Sequence, residues 1–235
     1  MKPSTFRLIS IDLDETVWPC KPVIEAAEQA LHAWLSRNAP RLIEAHDVLT
    51  MRAHRRELMR RQPGIAHDVS SVRRASLREL LAEFGYAESL ADEAMAVFMA
   101  NRNRVEPFVD AVPGLWPLRQ RYCLVSVTNG NSDPEQTPLK GIFHYSLTAA
   151  DVGAAKPEPA LFEMAMALAD AAPAETLHVG DDPWVDVEAA RRIGLTAIWV
   201  NRAARPWPLE LQPPAAEIPD LIQLQTWLTG KRGGL

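Results

Sequence analysis

Four short apolar runs constrain the fold of this chain more than any other feature of the sequence. They lie at residues 8–12, 123–128, 176–179 and 196–200. Each run is continuous and rich in Val, Ile and Leu, which is typical of strands covered on both faces of a parallel sheet. A weaker fifth strand is expected at residues 145–148. The runs therefore predict a parallel sheet at the centre of the molecule.

Helical patterns separate the later runs. Apolar residues recur at helical spacing in 161–169 and in 185–193, and Gly194 is a natural end for the second helix. Strands that alternate with helices predict an α/β fold with a doubly wound, Rossmann-like parallel sheet. The Pro-rich tail 205–219 is expected to run over the surface, and a last helix is expected at 221–228.

The stretch after the first strand has a different character. It contains helical patterns and no convincing strand; the patterns lie at 23–35, 42–61, 72–84 and 90–100. We therefore predict a four-helix domain, residues 20–104, inserted into an α/β domain made of residues 1–19 and 105–235. The chain is expected to return to the sheet through Pro107, Pro113 and Gly114.

Charge and cysteine content limit the possible partners and compartment. The net charge is −5, which argues against nucleic acid or an anionic membrane as the main partner. Cys20 and Cys123 form no pairing pattern, so a reducing, cytoplasmic setting is expected. We expect no signal peptide, and no apolar run approaches the ~20 residues of a membrane span. The oligomeric state stays open.

Two carboxylates follow the first strand, one residue apart. In an extended chain Asp12 and Asp14 point to the same side, at the carboxyl edge where open α/β sheets bind ligands. Two such carboxylates repel each other unless a cation binds both or one of them keeps a proton. The alternative is an ordinary turn in which Asp14 acts as a cap.

Later strand ends carry groups suited to an anion. Thr128 and Asn129 end the second run and precede Gly130, which offers a hydroxyl, an amide and free main-chain N–H groups. Lys156 stands just before a helix that begins with proline. Each signal alone is equally typical of a turn or of a solvated lysine.

Further acids follow the run at 176–179. Asp181 takes a strand-end position like that of Asp12, and Asp186 lies one helical turn beyond it. Asp182 is expected to cap the following helix. Several carboxylates at one sheet edge, with no cluster of His or Cys nearby, favour Mg²⁺ over zinc or copper.

Together these pieces resemble the haloacid dehalogenase superfamily. The matching strings are DLDET at 12–16, SVTN at 126–129, Lys156-Pro157 and GDDPWVD at 180–186. The resemblance implies a Rossmann-like core in which the helical insert is a C1-type cap. Superfamily members that cleave haloacids lack the second aspartate of the first string, so the presence of Asp14 implies a phosphatase.

The resemblance also implies roles for the acids. Asp12 would be the nucleophile that forms an aspartyl-phosphate, and Asp14 the general acid and base. Mg²⁺ would be held by the Asp12 carboxylate, the Asp14 main-chain carbonyl and Asp181. The product of such a site is the alcohol of a small phosphorylated metabolite and free phosphate.

The phosphoryl group would be bound by the remaining residues. Thr128 and the main-chain N–H of Asn129 would bind its oxygens, and Lys156 would neutralise charge and steady Asp12. Asp186 would orient either Lys156 or a water molecule on the metal, and Thr16 would tie down the first loop.

Short strings elsewhere narrow the resemblance to one branch. Residues 22–24, 67–69, 128–131 with 134–135, and 177–182 are similar to a branch that includes phosphatases of 5-amino-6-(5-phospho-D-ribitylamino)uracil, a riboflavin precursor. A sugar phosphate is the other substrate class considered. A phosphotransferase or phosphomutase, and a non-catalytic phosphate-binding module, are the alternative functions.

Five arginines between residues 52 and 61 are the most unusual feature of the insert. They form either a solvated helix face or a positive wall that attracts phosphate esters. His178, within a buried run, is expected to be a core histidine.

Overall fold

The computed structural model describes residues 6–230 of the chain, which fold into two compact units. The α/β unit comprises residues 6–19, 106–129 and 133–230, and the helical unit comprises 20–105 and 130–132. Residues 1–5 and 231–235, the outer limits of the predicted α/β domain, lie outside the described residues. A membrane-crossing segment would need a long apolar helix, and residues 6–230 contain none.

A sheet of parallel strands, six of them within residues 6–230, forms the centre of the α/β unit. The strands are β1 (Leu8–Ile11), β2 (Cys123–Thr128), β3 (Tyr145–Thr148), β4 (Thr176–Gly180), β5 (Thr196–Val200) and β6 (Ala216–Ile218). Their order is β3-β2-β1-β4-β5-β6. The predicted doubly wound sheet is confirmed. Since β2 and β4 flank β1, the order reverses beside β1, which is where such sheets form a ligand crevice.

The helical unit is built from the first five helices of the chain. They are α1 (Cys20–Asn38), α2 (Pro40–Ala45), α3 (Val48–Arg61), α4 (Val69–Glu83) and α5 (Leu90–Arg102). Leu35, Leu81 and Phe98 are buried in the core of this unit. Burial of such side chains stabilises the fold by about 2 kcal/mol each.

The single helix predicted at 42–61 is wrong, because the structure divides this stretch into α2 and α3. His46 ends α2 in an extended conformation, and Asp47 begins the next helix as its N-cap. The Asp47 carboxylate accepts a hydrogen bond from the main-chain N–H of Thr50 at 2.7 Å. A capping aspartate starts a new helix even where the apolar spacing runs on.

The α/β unit contains the later helices. They are α6 (Ala111–Arg119), α7 (Ala149–Val152), α8 (Ala160–Ala169), α9 (Ala189–Arg192) and α10 (Leu221–Leu228). The predicted helix at 185–193 is a π-helical turn, Pro183–Glu188, followed directly by α9. On α8, Leu161, Phe162 and Ala165 are buried in the core, which confirms that predicted helix.

Helix α6 occupies a segment that was predicted only as a connection. Pro113 lies in its first turn, where no N–H is needed, but Pro117 lies inside the helix. Pro117 leaves the carbonyl of Pro113 without its helical partner, and the Gln225 side chain on α10 donates to it at 2.7 Å. Gly114 permits this approach, because a Cβ there would lie 2.8 Å from Leu221.

The Pro-rich tail also differs from the prediction. It was expected only to run over the surface, yet Ala216–Ile218 pairs with β5 as the edge strand β6. The strand is three residues long, and proline on both sides hides it from pattern analysis.

Candidate active site

The carboxyl ends of β1, β2 and β4 bring the predicted residues to one edge of the sheet. Ile11 is in register with Ser126 on one side and with Val179 on the other. Asp12 extends the ladder, since its N–H donates to the Val179 carbonyl at 2.9 Å. Asp12, just past the end of β1, and Thr128, the last residue of β2, are both buried.

Lys156 lies at the centre of this edge with its ammonium group buried. Its Nζ donates to Asp12 Oδ1 at 2.7 Å, to Asp186 Oδ1 at 2.6 Å and to the Val127 carbonyl at 3.0 Å. The lysine thus joins the end of β1 to the turn after β4. The Asp186 carboxylate is thus in direct contact with Lys156.

The ionisation of these groups follows from burial and mutual charge. Burial raises the pKa of Asp12, Lys156 opposes this, and Asp186 adds to the rise. Burial alone would lower the pKa of Lys156, but the two carboxylates raise it above its ordinary value. Burial would raise the pKa of Asp186, but Lys156 holds it well below its usual range. Both shifts favour the charged forms, so Lys156 and Asp186 form an ion pair at neutral pH.

Asp186 is held from a second direction by the backbone. Its Oδ2 accepts a hydrogen bond from the main-chain N–H of Asp182 at 3.0 Å. Its carboxylate also lies over Gly180, where a Cβ would come within 2.4 Å of it. Glycine is required at position 180 for this close approach. Asp182 caps the following turn, accepting from Trp184 N and Val185 N at 2.8 Å, as predicted.

His178 lies beneath Asp186 in the core of the sheet. It is fully buried, with Nδ1 at 3.0 Å from Ser10 Oγ and Nε2 at 3.4 Å from Asp186 Oδ1. Burial lowers the pKa of its imidazole, so the ring is neutral. The predicted core histidine is confirmed, and it also borders the site.

The side chain of Asp14 is fixed by an aromatic neighbour, Trp18. The indole Nε1 of buried Trp18 donates to Asp14 Oδ1 at 2.8 Å. Between them, Glu15 takes a left-handed backbone (φ 61°), which destabilises a non-glycine residue by about 1 kcal/mol. Thr16 Oγ1 donates to Asp12 Oδ2 at 3.2 Å. The turn thus anchors both carboxylates of the first motif.

Arg202 holds the same turn from β5, and nothing in the sequence analysis singled it out. Its Nη2 donates to the Thr16 carbonyl at 2.8 Å, and its guanidinium forms a two-pronged contact with Asp110 at 2.8–2.9 Å. Asp110 in turn accepts from the N–H of Leu221 at 2.8 Å. The feature of the sequence that could have identified Arg202 is its position just past the end of a strand.

Asn129 has a structural task in addition to the predicted one. Its side-chain Oδ1 accepts from the Lys156 N–H at 2.7 Å, and its Nδ2 donates to the Lys156 carbonyl at 2.8 Å. The side chain of Asn129 therefore fixes the main chain of Lys156. The role expected in phosphoryl binding belongs to the main-chain N–H of Asn129.

Three carboxylates converge closely enough to share a cation. One oxygen each from Asp12, Asp181 and Asp186 lies within 4.8 Å of the others. Burial, followed by the charge of Asp186, raises the pKa of Asp181 to about 7. The three carboxylates outnumber the two cations that pair with them, Lys156 and Arg205, and their hard oxygen donors fit a divalent ion. The Asp14 carboxylate is outside this set.

Four of the five arginines between residues 52 and 61 divide between two environments. Arg52 and Arg55 both pair with Glu28, which is buried. Arg60 pairs with Glu57 at 2.6 Å at the surface, and Arg61 pairs with Glu79 at 2.7 Å. The solvated-face alternative describes Arg60 and Arg61, whereas Arg52 and Arg55 build an internal cluster that neither alternative anticipated.

Comparison with known proteins points to one enzyme family. Residues 6–194 match the model of the haloacid dehalogenase-like hydrolases. The chain is 31% identical over 199 residues to 5-amino-6-(5-phospho-D-ribitylamino)uracil phosphatase YigB of Escherichia coli, covering 82% of each chain. It is 38% identical over 142 residues to phosphoserine phosphatase of Thermus thermophilus, covering 58% of this chain and 57% of that one. A structure of 2-haloacid dehalogenase from Pseudomonas syringae is similar with a TM-score of 0.90 and 35% identity, covering 97% of this chain and 100% of that chain.

Proposed function

We propose that this chain, which belongs to the haloacid dehalogenase-like hydrolases, is a Mg²⁺-dependent phosphatase of a small phosphorylated metabolite. The observation that carries the proposal is Asp12 at the end of β1, buried, with Oδ1 fixed by Lys156 at 2.7 Å. A carboxylate held in this way has one orientation in which to meet a phosphorus atom. The phosphatases among its relatives support the same chemistry.

In the first half of the reaction, a carboxylate oxygen of Asp12 attacks phosphorus and the ester P–O bond breaks. The leaving oxygen takes a proton from the Asp14 carboxyl, so the alcohol departs neutral. Thr128 and the Asn129 N–H bind the phosphoryl oxygens, and the charge of Lys156 stabilises the transition state. The Trp18 indole, 2.8 Å from Asp14 Oδ1, keeps the acid in place.

In the second half, Asp14 takes a proton from water as the water attacks the phosphorus of the aspartyl-phosphate. The bond between Asp12 and phosphorus breaks, phosphate leaves and the carboxylate is restored. A divalent ion held by Asp12, Asp181 and the Asp14 carbonyl would reduce repulsion between anionic substrate and site. Asp186 contributes by keeping Lys156 protonated and in place.

The relatives support a choice of first substrates. The Escherichia coli relative, which matches along 82% of both chains, acts by its name on 5-amino-6-(5-phospho-D-ribitylamino)uracil. We propose a phosphorylated riboflavin precursor or a sugar phosphate as the first substrates to test.

A 2-haloacid dehalogenase is the second candidate, favoured by the Pseudomonas syringae structure. Displacement of halide by Asp12 needs no proton donor, since halide leaves as an anion. Asp14, fixed by Trp18, would then have no task in the chemistry. The presence of this ordered acid is our reason for preferring the phosphatase.

The test is release of phosphate from a panel of phosphate esters, with Mg²⁺ and with EDTA. We expect Mg²⁺-dependent turnover that falls at least ~10³-fold in Asp12→Asn and about 10²–10⁴-fold in Asp14→Asn. Asp170→Asn is the matched control, because Asp170 is exposed and already left-handed. It should keep full activity.

Three outcomes would redirect the proposal. Halide release from 2-haloacids that survives Asp14→Asn would establish the dehalogenase. Phosphoryl transfer to an added alcohol faster than to water would establish a phosphotransferase. Wild type as inactive as Asp12→Asn on an activated aryl phosphate would leave the non-catalytic binding module.

A further inference from the structure

Asp181 is fixed from the side of β5 by two side chains that the proposed mechanism does not use. The Trp199 indole Nε1 donates to the Asp181 carbonyl at 2.7 Å. Arg205 Nη2 donates to the same carbonyl at 2.8 Å and lies 3.3 Å from Asp181 Oδ2. One guanidinium therefore fixes both the main chain and the carboxylate of Asp181.

Arg205 is itself held in place by a closed turn. Asn201, buried at the end of β5, accepts from the Arg205 N–H at 2.9 Å and donates to the Arg205 carbonyl at 2.8 Å. The same Asn201 amide donates to Glu217 on β6 at 2.6 Å. The edge strand thus anchors the turn that carries Arg205, and the guanidinium reaches Asp181 from a fixed base.

We propose that Arg205 is a positioning residue that holds Asp181 in the orientation needed to bind the divalent ion. The inference rests on the proposed function, because it assumes that Asp181 is a metal ligand. Groups that hydrogen-bond to metal ligands from behind orient them, and losing one typically weakens binding about 10- to 100-fold. Arg205 takes this place for Asp181.

The charge of Arg205 acts in the opposite direction, because a guanidinium repels a divalent ion nearby. The Arg205 side chain is 50% exposed, so water and salt screen its charge. Its hydrogen bond to the Asp181 carbonyl, at 2.8 Å, is a direct contact that this screening does not remove. Orientation therefore outweighs repulsion, and removing Arg205 weakens metal binding.

The test is calorimetric titration of the substrate-free full chain with MgCl₂. Arg205→Ala should raise the Kd for Mg²⁺ about tenfold. Arg205→Lys, which keeps the charge but not the planar guanidinium, should fall between this variant and wild type. Asn201→Ala, which frees the turn and leaves the guanidinium intact, should also weaken binding.

The control is Arg121→Ala, which removes an exposed arginine just before β2, at the opposite edge of the sheet. It should bind Mg²⁺ as wild type does. Melting temperatures without metal show that each variant is folded, and the rise on adding Mg²⁺ gives a second measure of affinity.

Two results would overturn the inference in distinguishable ways. If wild type binds Mg²⁺ and Arg205→Ala binds equally well or more tightly, Arg205 does not position Asp181 and the proposed function stands. If wild type shows neither heat of binding nor a rise in melting temperature, the metal requirement of the proposed function fails, and this inference fails with it.

Discussion

The two units each contain a buried charge cluster, and the clusters are opposite in sign. The acidic cluster of the α/β unit consists of Asp12, Asp181 and Asp186 with Lys156, which pairs with Asp12 and Asp186, while Arg205 pairs with Asp181 from the exposed side. The arginine cluster of the helical unit surrounds one anion; it consists of Glu28 with Arg52, Arg55 and Arg73. The central residue, Lys156 or Glu28, is buried in both.

The two clusters differ in the contacts that stabilise their excess charge. In the arginine cluster, the Arg52 side chain is 33% exposed, and the Arg73 guanidinium lies 3.7 Å from the centre of the Phe98 ring. Burial, together with Arg55, lowers the pKa of Arg73 to about 9, so it remains charged at neutral pH. Guanidiniums can use water, a ring and a carboxylate together. Carboxylates accept only from donors, so their excess calls for a cation.

Removal of Lys156 is expected to have the largest effect on stability. Lys156→Met leaves Asp12 and Asp186 buried without their cation, which should destabilise the metal-free protein by about 4 kcal/mol at pH 7.5. Urea unfolding in EDTA measures this. The loss should shrink at pH 4, where the carboxyls take up protons. Lys140→Met is the control at an exposed position. If both variants lose the same free energy of unfolding, the carboxylates of the acidic cluster do not repel one another in the folded protein.

Removal of the central anion of the arginine cluster should have a smaller effect. Glu28→Gln leaves three guanidiniums facing one another, but Arg52 can turn toward water, so we expect a loss of about 3 kcal/mol. Glu57→Gln, which breaks an exposed pair with Arg60, should lose under about 0.5 kcal/mol. Chemical denaturation of both variants makes the comparison. If the two losses agree, the arginine cluster is effectively solvated and the contrast between the units disappears.

Asp181→Asn should stabilise the metal-free protein, by about 2 kcal/mol at pH 8. The pKa of Asp181 is raised from its ordinary 3.8 to about 7 in the folded state. Between about pH 4 and 7 the folded protein therefore retains a proton that the unfolded chain has released. The free energy of unfolding therefore falls as the pH rises from about 4 to about 7, and the whole of this loss remains above pH 7.

The amide removes this penalty, so the gain should be smaller at pH 5 than at pH 8. Unfolding in EDTA at both pH values tests this expectation. A gain that does not change with pH would show that the carboxylate of Asp181 carries no excess charge in the fold.

Strands in this chain could be predicted more completely than helix ends. Buried parallel strands are unbroken apolar runs, so residues 123–128 and 196–200 were predicted with the limits that the structure shows for β2 and β5. Helix α6 was missed because Pro117 forbids a helical hydrogen bond that Gln225, more than 100 residues later, replaces. Such a compensation is invisible to local patterns.

The candidate site shows the same division between local and distant contacts. Asp12, Asp14 and Asp181 were found because each stands at or just after a strand end. Arg205 was missed because its value lies in reaching Asp181, 24 residues away, across a turn closed by Asn201. An arginine in a Pro-rich tail belongs to no periodic pattern. Its contact with Asp181 arises only when the sheet edge has folded.

The number of hydrogens on the Lys156 ammonium group limits the contacts that this residue can make with a substrate. An ammonium group has three hydrogens, and here they face Asp12, Asp186 and the Val127 carbonyl. A phosphoryl oxygen that sought a direct bond would have to displace one acceptor, and the neutral Val127 carbonyl, at 3.0 Å, is the weakest of the three. Until a substrate oxygen replaces the Val127 carbonyl as acceptor, Lys156 would act on the substrate only through the electrostatic field of its charge.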